Sequence, residues 1–149
     1  MDTPAYDTYD ERLAEVMKGP DGGLAEGLSA YLGMRMVHVG PGVAVVEVDV
    51  RPELVHRFGA AHGGVVASVV DQALGSAVFP LVPLGTWPAT LEFKLNYLAA
   101  ARGGVIRATG TVVTLRTRTA VVRVEVENEG RTIAVALGTI SLNPPPPEG

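Results

Sequence analysis

The chain contains no cysteine. That one absence excludes a disulfide framework, a thiolate zinc site and a cysteine nucleophile together, so any chemistry must use oxygen or nitrogen groups. Aromatic residues make up only 5% of the composition, the formal net charge is -4, and no basic stripe with interleaved aromatics occurs. No nucleic-acid partner is expected. The apolar stretches are short and repeatedly interrupted by Gly, Pro or charge, and the acidic start Met1-Asp2-Thr3-Pro4 lacks the basic flank of a signal peptide. The expectation is a soluble, cytoplasmic protein with no membrane partner.

What is present suits a packed globule. Hydrophobic residues reach 47% against 19% charged over 149 residues, the length of one ordinary domain. One domain is expected over 1–143, with an N-terminal helical segment over 1–32 and a proline-rich, mobile tail over 144–149. Apolar residues at helical spacing from Asp7 to Met17, stopped at Gly19-Pro20, predict an amphipathic surface helix. A second short helix is expected from Leu24 to Leu32, then a strand from Met34 to Val39 and a turn at Gly40-Pro41-Gly42.

Period-two alternation marks the later strands. Val46, Val48 and Val50 alternate with Glu47 and Asp49, and Leu91, Phe93, Leu95 and Tyr97 alternate with Glu92, Lys94 and Asn96. Val122, Val124 and Val126 repeat the pattern, and Val105 to Leu115 and Thr132 to Leu142 complete a run of strands joined by turns at Arg116-Thr117 and Glu129-Gly130. Between them, Gly64 to Phe79 carries valines in pairs four apart, a helical spacing despite the β-branched content. Apolar on nearly every face and ended by Pro80, this segment predicts a fully buried helix inside an α+β fold with a five- to six-stranded antiparallel sheet.

Gly64, Ser68, Asp71 and Gly75 fall four, three and four apart, which places them on one narrow, small and polar stripe of that helix. A lone carboxylate between Val70 and Leu74 is costly in such a place unless it is hydrogen-bonded or functional. At the helix start, the first N–H groups lack intrahelical partners and carry partial positive charge, and Gly63-Gly64 would let a substrate oxygen approach. A tight turn alone would also explain the glycine pair, and His62 alone would suit a hydrogen-bonded structural role.

His62-Gly63-Gly64 followed by Asp71 in an apolar helix resembles the hotdog-fold thioesterases of the phenylacetate-degradation (PaaI-like) family. The likeness runs from about Leu32 to Leu142 and includes Thr90-Leu91-Glu92-Phe93 and Asn96-Tyr97-Leu98. It implies a hotdog fold and an acyl-CoA thioesterase acting on an aryl or medium-chain acyl thioester, with no cofactor beyond the coenzyme A of the substrate. Asp71 would be the catalytic carboxylate, as nucleophile or general base, and the Gly63 N–H an oxyanion donor. Thr90 would help place water, His62 would orient the carbonyl or hold the loop, and Gly64, Ser68 and Gln72 would contact substrate. His56 stands where the family commonly has Asn, so the amide's positioning role is either taken by an imidazole or lost.

Gly63 and Asp71 are eight residues apart, about 12 Å along a helix axis. One carbonyl cannot touch both, so the amide and the acid of one site must come from two chains, in a symmetric homodimer. The resemblance extends this to a dimer of dimers. No G-x-S-x-G elbow occurs, so Ser68 is not a hydrolase nucleophile. His38, His56 and His62 lack the spacing of a metal pair, and no metal is expected. Arg102, Arg116 and Arg118 suit either contacts to the coenzyme A phosphates or solvated surface charge. Two other functions fit the same frame: a hotdog hydratase or dehydratase, and a non-catalytic acyl-CoA binder.

Overall fold

The computed structural model describes Tyr6, residues 8–19 and residues 23–145. Two short helices, α1 (Glu11–Lys18) and α2 (Gly27–Leu32), lead into β1 (Arg35–Gly40) and β2 (Val43–Asp49). A small hairpin, β3 (Val55–His56) and β4 (Ala60–Ala61), feeds the long helix α3 (Gly63–Val78), and β5 (Trp87–Tyr97), β6 (Val105–Leu115), β7 (Thr119–Asn128) and β8 (Arg131–Asn143) follow. Six strands form one antiparallel sheet in the order β1-β2-β6-β7-β8-β5, curled around α3. This is the sheet wrapped around one long helix that the alternation and the helical spacing predict, and the α+β hotdog fold that the resemblance implies.

The helix holds its β-branched run because burial outweighs propensity. Val65, Val66, Val69, Val70, Ala73, Leu74, Ala77 and Val78 are buried against inward residues of the sheet such as Val46, Ile106, Val124 and Ile140. Each valine or leucine taken from water contributes roughly 1.5–3 kcal/mol, well above the few tenths that separate valine from a good helix former. Helix and sheet touch at Gly110 of β6, where a Cβ would lie 2.6 Å from the backbone oxygen of Ala73. Backbone cannot swing aside as a flexible side chain can. Gly110→Ala is therefore expected to cost about 1–3 kcal/mol in a denaturant melt; an unchanged midpoint would mean that α3 backs away from the sheet freely.

Several boundaries differ from the sequence reading. The first helix starts at Glu11, not Asp7, because Asp10 turns out to be its cap and accepts the Leu13 N–H at 2.9 Å. The second starts at Gly27 and ends with Gly33 in the left-handed region, and Arg51 donates to the Leu32 carbonyl at 2.7 Å and to that of Tyr31. The β3–β4 hairpin has only two residues per strand, too few for alternation to reveal. Asp7, Pro20 and Pro146 to Gly149 lie outside the described residues, whereas Pro145 packs beside Gly85.

Two expectations about α3 are corrected. The apolar stretches are not all short: Gly63–Leu81, the helix with its 3-10 extension, runs 19 residues at a mean hydropathy of 1.4. Its length would cross a bilayer, but 61% of its most apolar window is buried against the fold. Nor is the helix covered on every face. Gly64 and Asp71 are exposed and Ser68 and Gly75 half-buried, so the polar stripe predicted from the spacing is open.

Candidate active site

The open stripe of α3 faces β5, the last strand of the sheet, which pairs only with β8 among the described residues. Between them lies a cleft of about 950 Å³ lined by Ser68, Asp71, Gln72 and Gly75 on the helix side and by Trp87 to Phe93 on the strand side. An edge strand tolerates Pro88, which has no N–H to give to a neighbour. A bulge between Thr90 and Glu92 shifts the register against β8. The alternation read from Leu91 to Tyr97 is broken there: Phe93 and Leu95 pack on the core, while Leu91 is 62% exposed. Bulges re-aim side chains in this way.

Asp71 and Thr90, nineteen positions apart in sequence, thus line the same cleft. Asp71 makes no hydrogen bond or ion pair among the described residues, and its carboxylate is exposed rather than buried among valines. The desolvation cost expected from sequence therefore does not arise within one chain. Ser68 donates its hydroxyl to the Gly64 carbonyl at 2.8 Å and keeps only acceptor capacity for a ligand. Gln72 is held in the wall, accepting from Ser29 at 2.9 Å and donating to Ser76 at 3.1 Å, so it ties α2 to α3.

The helix start is built separately. His62 is the N-cap, with extended backbone, and its Nδ1 accepts the Gly64 N–H at 2.9 Å. That bond ties His62 to the helix start and satisfies one of the helix's orphan donors. The Gly63 N–H has no acceptor among the described residues. Tyr97 donates to the Gly63 carbonyl at 2.7 Å, and a Cβ at Gly63 would sit 3.2 Å from its hydroxyl, which explains a residue without a side chain there. Sequence reading passed over Tyr97, because nothing in a strand pattern says that it will reach a helix 34 positions away.

Gly63, His56 and Tyr97 line a second cleft, of about 410 Å³, at the opposite end of the helix's open stripe from Gly75. His56 accepts the Phe58 N–H at 3.1 Å across the β3–β4 turn and meets the Phe58 ring edge-on at 5.7 Å. Arg102 donates to the Phe58 carbonyl at 3.2 Å and so clamps that turn. Arg116 and Arg118 stand exposed on the β6–β7 turn and line neither cleft. The structure therefore joins Asp71, Thr90, Ser68 and Gln72 in one place, Gly63 and His56 in another, and leaves the two arginines apart. Among the described residues no group of His, Asp and Glu could hold a metal ion.

Residues 58–135, just over half of the chain and including both α3 and the edge strand, match the family model described as the thioesterase superfamily. The chain belongs to that superfamily. Among solved structures, this thioesterase resembles a conserved protein of Pseudomonas aeruginosa at 30% identity and a TM-score of 0.76, covering 80% of this chain and 95% of that one. It also resembles the phenylacetic acid degradation protein PaaI of Thermus thermophilus, at 33% identity and a TM-score of 0.69 over 75% of this chain and 95% of the other. A 1,4-dihydroxy-2-naphthoyl-CoA hydrolase of Listeria monocytogenes is 27% identical over 69% of this chain and 84% of its own length. The enzyme class is thus thioester hydrolase.

Proposed function

We propose that this thioesterase hydrolyses an aryl or medium-chain acyl-CoA at a site shared between two chains. The observation that carries the reading is the division of α3: the Gly63 N–H and the Asp71 carboxylate, neither of them bonded to another group among the described residues, lie on one continuous helix but open into different clefts. Eight residues of helix put them about 12 Å apart. The oxyanion donor must lie about 3 Å from the carbonyl oxygen and the base within hydrogen-bond reach of a water at the carbonyl carbon, so a second chain, related by a two-fold axis, supplies whichever group the first cannot.

In this mechanism the thioester carbonyl oxygen lies on the Gly63 N–H of one chain, which stabilises the negative charge that develops there. Asp71 of the other chain takes a proton from a water that attacks the carbonyl carbon, with Thr90 across the cleft as a second hydrogen-bonding group. Collapse of the tetrahedral intermediate breaks the carbon–sulfur bond, and the proton held by Asp71 passes to the departing sulfur, so coenzyme A leaves as the thiol and the carboxylate is regenerated. An exposed, unpaired carboxylate in a cleft open to water suits the base role. The names of the two relatives that act on or belong to aryl acid metabolism support an aryl acyl group.

Complementation between inactive chains tests the shared site. An Asp71→Asn chain and a Gly63→Pro chain, co-expressed with different tags and isolated as the mixed dimer, should regain about half of the wild-type turnover per dimer, because one of its two sites receives both intact groups. A mixed dimer as inactive as its two parents would place both groups of a site in one chain and refute the proposal.

A further inference from the structure

Gly75 has no role that the fold itself requires. It sits in the interior of α3, where glycine is less favourable than alanine because it has more backbone entropy to lose. Gly110 and Gly138 have evident reasons, since a Cβ at either would strike backbone or packed side chains. A Cβ at Gly75 would meet nothing within 4 Å among the described residues.

Its position supplies the reason. Gly75 lines the Asp71 cleft and also an inner cavity of about 310 Å³, and Gln72, Trp87 and Pro88 are likewise shared by the two. The inner cavity is walled by Met17, Leu24, Met36 and Phe79. The first three of these come from outside the stretch matched by the family model. Ser76 is the only buried polar residue among those described, at 4% exposure, and its oxygen is already engaged by Gln72 at 3.1 Å. The cavity therefore presents an apolar surface. The α1 side of the wall is anchored, because Asp10 at the start of α1 donates its N–H to the Pro80 carbonyl at 2.8 Å and Thr8 donates to that of Leu81 at 2.7 Å.

We propose that this inner cavity receives the acyl group of the thioester and that Gly75 is the doorway it passes, a reading that rests on Asp71 being the catalytic carboxylate. An apolar cavity of about 150 Å³ takes up one benzene molecule. At about 310 Å³ the cavity suits an acyl group with one substituted aromatic ring, or an alkyl group of similar bulk. The N-terminal helical segment is thus the part of the chain that limits acyl size.

The test compares acetyl-, hexanoyl- and phenylacetyl-CoA in wild type, Gly75→Leu and Gly75→Ala. Leucine projects into the open doorway, and kcat/KM for the two larger thioesters relative to acetyl-CoA should fall by at least about tenfold, the effect of a methylene or more in an apolar pocket. Alanine should lower that ratio less and raise Tm by about 1–4 °C, as expected when a helix-interior glycine is replaced without strain. An unchanged ratio in Gly75→Leu overturns the doorway, and so does loss of the native assembly in size exclusion, which would make Gly75 a subunit contact. Asp71→Asn separates the two levels: full activity in that variant on all three thioesters sinks the Asp71 reading, whereas an inactive Asp71→Asn beside an unchanged Gly75→Leu ratio sinks only the doorway.

Discussion

Asp71→Asn is expected to reduce kcat by about 10²–10⁴-fold, the usual contribution of a positioned general base. The substitution keeps the shape of the side chain and removes its charge and basicity. Because Asp71 is exposed and bonds to nothing else described in its own chain, the amide breaks no contact within the fold. Tm and the size-exclusion profile should therefore match the wild type while thiol release from acyl-CoA collapses. Activity within a few-fold of wild type would show that the carboxylate is a bystander. The arrangement makes the experiment clean, since a buried and hydrogen-bonded acid would have confounded catalysis with stability.

Gly63→Pro should cost about 10²–10³-fold in kcat, the effect of losing one oxyanion donor. Gly63 is the first residue of α3, where proline is favoured because its N–H would have no intrahelical partner and its φ is already helical. His62 before it has ψ 137, the extended conformation that a residue preceding proline adopts. The helix thus tolerates the change, and the N–H alone is deleted. The added ring carbons approach Tyr97, whose hydroxyl a Cβ would meet at 3.2 Å, so Gly63→Ala provides the control for crowding. Alanine with near-normal turnover and proline without it would assign the effect to the N–H. Equal losses in both would instead assign it to displacement of Tyr97.

The fold was legible because burial leaves its period on the sequence. Alternation along Val46 to Val50, Leu91 to Tyr97 and Val122 to Val126, and the four-residue spacing of the valine pairs, are direct records of which side chains face a core. The Gly64, Ser68, Asp71 and Gly75 stripe was legible for the same reason. Its exposure was not legible, since periodicity gives the direction of a side chain and says nothing of whether another element covers it. The β3–β4 hairpin escaped notice because two residues per strand cannot show a period.

His62-Gly63-Gly64, the acid nine positions after His62 and the apolar helix between them are local features, and local features determine secondary structure, caps and one-dimensional spacing. Sequence therefore decided the class of fold, the long helix at its centre and the spacing of about 12 Å along one axis on which the proposed two-chain site rests. Tertiary structure alone decided the rest. It brought Thr90 to Asp71 across the cleft, set Tyr97 on Gly63, placed His62 Nδ1 on the Gly64 N–H, left Arg116 and Arg118 outside both clefts of their own chain, and opened the cavity behind Gly75. These depend on how the sheet curls around the helix, where contacts between residues tens of positions apart are fixed by packing and leave no periodic trace in the chain.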